Sequence, residues 1–225
     1  MPNVPYQNLI GSLMYLSLWS RPDITQAVNY LSQFNSCFGD EHWACAKRVL
    51  RYLKGTLDHC LVYCKNDEGL CGYSDADWDS DSVDRKSYSG YVFTFGGGVI
   101  SWMSKKQSLV AQSSTEAEYV SLAKAGNEAI YLRNFLEELI GEVSPVTLFC
   151  DNKAAIFLSN NAAFQKRTKH IDIVYHHVRN LVNTGQISVQ HMPSEDMVAD
   201  IFTKSLPYPR FRKFVELLGV IQVRD

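Results

Sequence analysis

The sequence predicts an α/β protein: a mixed sheet flanked by helices, preceded by a small helical segment. Three observations carry this. After residue 70, strand-like and helix-like runs follow in the order strand, hairpin, helix, strand, helix, strand, helix. The triplet Gly96-Gly97-Gly98 joins two of the strand-like runs and marks an antiparallel hairpin, whereas the later strands are separated by helical stretches, as parallel strands require. The first 65 residues, in contrast, have helical spacing.

In chain order, Leu9, Leu13, Leu16 and Trp19 fall near the spacing of one helix face. Pro22 breaks that segment and suits the first turn of the next helix. A third helix is expected over 41–53, closed by Gly55, with Lys47, Arg51 and Lys54 along one face. The turn-rich stretch Asn66-Asp67-Glu68-Gly69 divides the chain into a helical segment, 1–66, and a sheet-containing domain, 67–225. Strands are expected over 70–74, 88–95 and 99–103, then a long helix over 115–140 that Gly141 closes. A short apolar strand follows over 146–150. Helices over 153–158 and 171–182, a strand over 187–191, and two short helices over 196–203 and 209–218 complete the reading.

Composition excludes several classes. The 225 residues are 46% hydrophobic and 20% charged, enough apolar material for a real core. The formal net charge of −2 means that any nucleic-acid contact must come from local basic patches. No apolar run reaches the ~18 residues of a membrane span. Residues 1–18 lack a basic start and a small-residue cleavage site, so the expectation is an intracellular chain, not secreted and without a membrane partner. The six cysteines form no C-x-x-C pair and read as reduced core thiols.

The chemistry sits in the carboxylates. Asp75 follows the strand ending at Ser74, and Asp151 follows the strand ending at Cys150. If those strands are parallel neighbours, both carboxylates stand at the same sheet edge, where α/β folds gather ligands. Each also fits a helix N-cap or a turn. Two glutamates open the long helix. At about 100° per residue, Leu122, Ala125, Ala129, Leu132 and Leu136 lie within about 40° of Glu118, whereas Glu116 points about 160° away. Glu118 therefore belongs to the buried stripe and Glu116 to the water side, although Thr115-x-x-Glu118 and Ser113-x-x-Glu116 both fit a capping box. A carboxylate on the core side needs a partner, and a metal ion is one. Asp200 is a fourth candidate; it shares a face with Asp196 if 196–203 is helical, where both also fit a solvated helix face. His191 ends the last strand.

Taken together, Tyr73-Ser-Asp-Ala-Asp-Trp78, Ser113-Ser-Thr-Glu-Ala-Glu-Tyr119, Cys150-Asp-Asn-Lys-Ala-Ala155 and Val198-Ala-Asp-Ile-Phe-Thr-Lys204 resemble the ribonuclease H domain of copia-type long-terminal-repeat retroelements. Ser101-Trp-Met-Ser-Lys-Lys-Gln107 and Arg167-Thr-Lys-His-Ile-Asp172 fit the same pattern. Upstream, Gly11-Ser-Leu-Met-Tyr-Leu16, Arg21-Pro-Asp-Ile24, His42-Trp43 and Arg48-Val-Leu-Arg-Tyr-Leu-Lys-Gly55 resemble the reverse-transcriptase thumb and connection of the same Pol polyproteins. No Tyr-x-Asp-Asp polymerase dyad occurs.

The resemblance implies a ribonuclease H-like five-stranded sheet and a two-metal endonuclease that cleaves the RNA strand of RNA–DNA hybrids. It implies Asp75, Glu118, Asp151 and Asp200 as ligands to two Mg²⁺ ions, or Mn²⁺, about 3.5–4 Å apart. It also implies His191 as a proton carrier near product release. Asp75 would bridge the ions, Glu118 and Asp151 would hold one, and Asp200 the other. Ser113, Ser114 and Thr115 can offer hydroxyls to the 2′-OH groups of the RNA strand. Lys105, Lys106, Lys169 and His170 are candidate phosphate contacts, and the Lys47, Arg51, Lys54 stripe is a candidate primer–template grip. Partners implied are the hybrid and the polymerase core of the same polyprotein. The alternative function is a non-catalytic or host-adopted interaction fragment.

Overall fold

A computed structural model describes residues 4–65, 68–78, 84–141, 143–160 and 172–223. The N-terminal part is three helices, α1 (Tyr6–Trp19), α2 (Thr25–Ser32) and α3 (Asp40–Lys54), with a 3-10 turn at Pro22–Ile24. α1 buries Tyr6, Ile10, Leu13 and Ser17, whereas Leu9 and Leu16 are half-buried and Trp19 is 70% exposed. The buried face is thus rotated from the one expected. The reason is tertiary: the Tyr6 ring stacks on Phe38 and its hydroxyl donates to the Leu31 carbonyl. A buried ion pair, Arg21 to Asp23 at 2.7 Å, ties the turn down. The Tyr52 hydroxyl donates to Asp23, and Arg21 donates to the Thr56 carbonyl, so the buried ion pair is hydrogen-bonded on both sides.

The main sheet contains β2 (Cys71–Asp77), β3 (Tyr88–Phe95), β4 (Gly98–Lys106), β5 (Val146–Cys150) and β6 (Ile187–His191), in the order β4-β3-β2-β5-β6; β1 (His59–Leu61) precedes them in the chain. β2, β3 and β4 are antiparallel neighbours, and β5 is parallel to both β2 and β6. Side chains alternate across the sheet as the pleat demands. Phe93 and Leu148 face α4 (Ser114–Ile140), in a core shared with α5 (Lys153–Asn160) and α6 (Asp172–Asn183). Val92, Tyr73 and Phe149 face the other side, against a 3-10 helix at Val198–Phe202 and α7 (Tyr208–Leu217). This is the ribonuclease H-like architecture that the resemblance implies. No described helix is long and apolar enough to cross a membrane.

Two short strands escaped the sequence reading. β1 pairs antiparallel with β7 (Val220–Gln222), and the Val62 amide donates to the Gly219 carbonyl. Three residues per strand give too little periodicity to read, and the partners are some 160 positions apart, as the pair His59–Gln222 shows. The N-terminal helices also dock on the sheet: Trp102 donates from its indole to the Ser17 carbonyl at 2.9 Å, and Gln33 bonds the Tyr88 hydroxyl.

Three further expectations change. The first strand does not stop at Ser74; pairing with β3 carries it through Asp77. Residues 196–203 are not one helix: Asp196 lies in an exposed turn and pairs with Lys213, whereas Asp200 sits in the 3-10 helix, fully buried. They share no face. The cysteines are free, as expected, but only Cys150 is a buried core thiol; Cys37, Cys45, Cys60 and Cys64 are exposed.

The 3-10 helix lies close on the sheet because Gly90 has no side chain. A Cβ there would stand 2.7 Å from Thr203 Cγ2 and 2.8 Å from Phe202 Cβ. Gly90→Ala should therefore push the 3-10 helix off the sheet and cost about 1–3 kcal/mol of stability. A melting temperature equal to that of the parent would show that this contact has slack.

Candidate metal centre

The site grows from strand ends. β2 and β5 pair in parallel only as far as Tyr73 and Phe149. Beyond that point Asp75 is held by β3 alone, opposite Gly90, and Asp151 follows the last residue of β5. Both carboxylates thus sit at the C-terminal edge of the parallel strands, where the pairing opens. Asp75 is 1% exposed. Its carbonyl accepts from Ser121 of α4, and its Oδ2 accepts from the Thr203 hydroxyl. Asp151 accepts from the Ser194 hydroxyl at 2.6 Å.

Helix phase delivers the third carboxylate. Glu118, Leu122, Ala125, Ala129, Leu132 and Leu136 are all buried. Ser113 is the N-cap and accepts from the Glu116 amide; the Glu116 carboxylate turns back to the Gln112 amide. The capping role therefore goes to Ser113 and Glu116, which leaves Glu118 facing the sheet edge. Glu118 is 6% exposed, and its Oε2 has no hydrogen-bond partner. Glu118, Cys150 and Asp151 each present a ligand atom within 4.8 Å of the others.

Asp200 forms the other half. Its Oδ1 lies 3.0 Å from Lys204 Nζ, and its Oδ2 accepts from Arg210, which also donates to the Ser194 carbonyl. Lys204 Nζ reaches Asp75 Oδ2 at 3.5 Å. The sequence reading gave Thr203, Lys204, Arg210, Ser194 and Cys150 no part in the site. Only Lys204 had a local signal, its i, i+4 spacing from Asp200. Arg210 comes from a separate helix, and nothing near Asp200 announces it.

Crowding shows in the acidities. Burial, and then the Asp75 and Asp151 charges, hold the Glu118 carboxyl well above the usual carboxylate range. Asp200 is pushed up to about 7 by burial and then by Asp75, against the pull of Lys204 and Arg210. Burial lowers Lys204, but Asp75 and Asp200 outweigh it and raise the ammonium above its ordinary value. Burial, followed by Glu118, pushes the Cys150 thiol far up.

The remaining candidates are more dispersed. His191 is exposed at the end of β6, beside Cys150 in the sheet register, and so stands at the same edge. Ser114 is exposed and Thr115 half-buried at the start of α4. Lys105 is exposed, whereas Lys106 pairs with Asp84 at 2.9 Å and contacts Gln33. Lys47, Arg51 and Lys54 are exposed along α3, with Lys47 over the Trp43 ring. Lys169 and His170 lie outside the described residues.

No protein-family model matches the chain. A retrovirus-related Pol polyprotein from transposon TNT 1-94 of Nicotiana tabacum is 44% identical over 220 residues, 98% of this chain. Over nearly its whole length the chain is similar to the retrovirus-related Pol polyproteins of transposons. It spans 17% of the tobacco polyprotein's length. A secreted RxLR effector protein of Plasmopara viticola is 50% identical over 133 residues, 59% of this chain and 94% of that protein. Among solved structures, LC11-RNase H1 in complex with RNA/DNA hybrid is 15% identical, covering 60% of this chain and 93% of its own at a TM-score of 0.45.

The acidities predict a pH signature. A carboxyl with a folded pKa above its unfolded value keeps a proton that the unfolded chain has lost, so stability falls as pH rises between the two. For Asp200 that window runs from 3.8 to about 7, and Glu118 acts in the same direction. In chelator, the melting temperature should fall from pH 5 to pH 7.5. Glu118→Gln should melt above the parent at pH 7.5, with the gap closing toward pH 5, and Glu116→Gln should give no such gain. A Glu118→Gln protein that melts below the parent at pH 7.5 would contradict the crowding.

Proposed function

We propose that this chain is a ribonuclease H-type endonuclease that hydrolyses the RNA strand of RNA–DNA hybrids, with two divalent ions held by Asp75, Glu118, Asp151 and Asp200. The observation that carries the reading is the convergence of four carboxylates from four elements, with the buried Glu118 Oε2 left without a partner. A donor set of carboxylate oxygens fits hard cations such as Mg²⁺ or Mn²⁺. Such ions supply the positive charge that makes a bound water nucleophilic and steadies a departing ribose oxygen.

The protein's own part is to fix the oxygens. β3 and Ser121 hold the Asp75 backbone, and Thr203 orients its carboxylate. Ser194 orients Asp151, and Arg210 links Ser194 to Asp200. Glu118 is aimed by helix phase and by a hydrogen bond from the Ala76 backbone. His191 stands exposed at the same edge, in the role of proton carrier. Ser114 and Thr115 open α4 beside Glu118 and offer hydroxyls to a nearby ribose. The similarity to Pol polyproteins supports a polymerase core of the same polyprotein as partner and, with it, a hybrid substrate; a site of action inside the cell is part of the proposal alone.

A second reading rests on one observation. The related Plasmopara viticola protein matches this chain over 94% of its length and bears the name of a secreted effector. A stretch of this kind can therefore occur as almost an entire protein, and the second reading is a fragment that serves in interaction and not in cleavage.

One assay separates the two: hydrolysis of a labelled RNA–DNA hybrid with Mg²⁺ and with chelator. Asp75→Asn and Asp151→Asn should each abolish cleavage while leaving the fold intact, and Glu118→Gln should be far more damaging than Glu116→Gln. Cleavage at near parent rates in both aspartate variants would remove the assignment; an inactive, well-folded parent would favour the interaction reading.

The α3 stripe concerns binding. Replacing Lys47, Arg51 and Lys54 with Ala should flatten the salt dependence of hybrid binding by up to about three units of slope, at about 0.9 per neutralised phosphate on duplex DNA. Saturated cleavage rates should hold. An unchanged slope in a salt titration would make the stripe a solvated face only.

A further inference from the structure

The proposed reading asks the site to hold two cations, and the folded chain already places one of its own positive charges between two of the carboxylates. Lys204 Nζ lies 3.0 Å from Asp200 Oδ1 and 3.5 Å from Asp75 Oδ2, bridging carboxylates from two different elements. Those side chains are 0% and 1% exposed, whereas that of Lys204 is 34% exposed, so the ammonium reaches inward from the solvent side. The other half of the site differs. Among the described residues, neither Glu118 nor Asp151 has a lysine or arginine within ion-pair distance, and Glu118 Oε2 is unpartnered.

We propose that Lys204 stands where one of the two ions has to bind, between Asp75 and Asp200, so that the Glu118–Asp151 half fills first and the second ion enters only when Lys204 swings out. The proposal rests on the metal reading above and adds an order of filling to it. An ammonium 3.0 and 3.5 Å from the two carboxylates leaves no room for a divalent ion on the same oxygens, and the like charges repel strongly at that range. Lysine is suited to leave: it is a point charge on a flexible four-carbon stem, here with a third of its side chain in solvent. Arg210, the other cation on Asp200, is built to stay. It donates to the Ser194 carbonyl as well as to Asp200, and its guanidinium lies 5.2 Å from the centre of the Phe214 ring. Arg210 thus anchors Asp200 from behind, while Lys204 covers the face that it shares with Asp75. Lys204 is a positioning residue in this account: it governs ion entry and need not touch substrate.

The test is a calorimetric Mg²⁺ titration of the full chain without nucleic acid, on the parent, Lys204→Met, Lys204→Gln and Lys204→Arg. Melting temperatures in chelator and in Mg²⁺ accompany it. The parent should show two binding events of unequal strength. Both neutral variants should tighten the weaker event at least tenfold and leave the stronger within about twofold. Lys204→Arg should keep the weaker event weak. Because a ligand stabilises the state it binds, Mg²⁺ should also raise the melting temperature of the neutral variants more than that of the parent. If one neutral variant fails to fold in chelator, the other carries the comparison. A weaker event that is unchanged or further weakened in Lys204→Gln and Lys204→Met would overturn the proposal, because Lys204 would then be holding the carboxylates in place for the ion. Absence of Mg²⁺ binding to every form would overturn it together with the metal reading. Two-event binding with no hybrid cleavage would instead count against the nuclease reading and leave the order of filling standing.

Discussion

Four carboxylates are gathered at one edge of a sheet, out of reach of most of the solvent, and this mutual repulsion is the constraint around which the domain is arranged. Like charges at such range in a poorly screened setting oppose folding unless something offsets them. Here the offset is distributed. Asp75 is held by main-chain pairing to β3 and by Thr203. Asp200 faces two cations, and Asp151 is tied to Ser194. Glu118 has one oxygen without a hydrogen-bond partner, and burial with the neighbouring carboxylates holds its carboxyl well above the usual range.

Support for this edge comes from a long way off. The clasp between β1 and β7 fixes the chain end that follows α7, and the Val99 amide donates to the Leu218 carbonyl from the hairpin side. α7 is thereby pinned on the sheet through Phe214, Val215 and Leu218. Pinning α7 places Arg210, and Arg210 holds both Asp200 and the Ser194 loop that orients Asp151. The N-terminal helices contribute to the same frame. Tyr52 of α3 packs edge-on against Phe211 of α7, and the Ser17 carbonyl accepts from Trp102 of β4. The helical segment is thus a packing partner of the sheet domain, whatever its basic face binds.

The two halves of the site differ in character. Glu118, Cys150 and Asp151 form a cluster with an unmet acceptor and a buried thiol. Asp75 and Asp200 form a pair already neutralised by side chains. Hard divalent ions prefer the oxygens of either half to the thiol, so Cys150 contributes shape and low polarity more than coordination.

What the sequence alone determined follows from local periodicity and short motifs. The order of the long helices and of the five strands of the main sheet, the hairpin at Gly96-Gly97-Gly98 and the inward phase of Glu118 were legible, because 3.6- and 2-residue repeats act over a few turns or a few pleats. The identity of the four carboxylates rested on recognisable motifs in a fixed order. The tertiary structure alone decided the rest. β2 runs past Asp75 only because β3 extends beside it. Asp200 is buried and Asp196 exposed because a 3-10 helix, not an α-helix, lies over Gly90. The exposed Trp19, the β1–β7 clasp and the convergence of Lys204 and Arg210 on Asp200 join positions far apart in the chain or depend on packing from other elements. No local pattern encodes such contacts, because their energy appears only when distant segments are brought together.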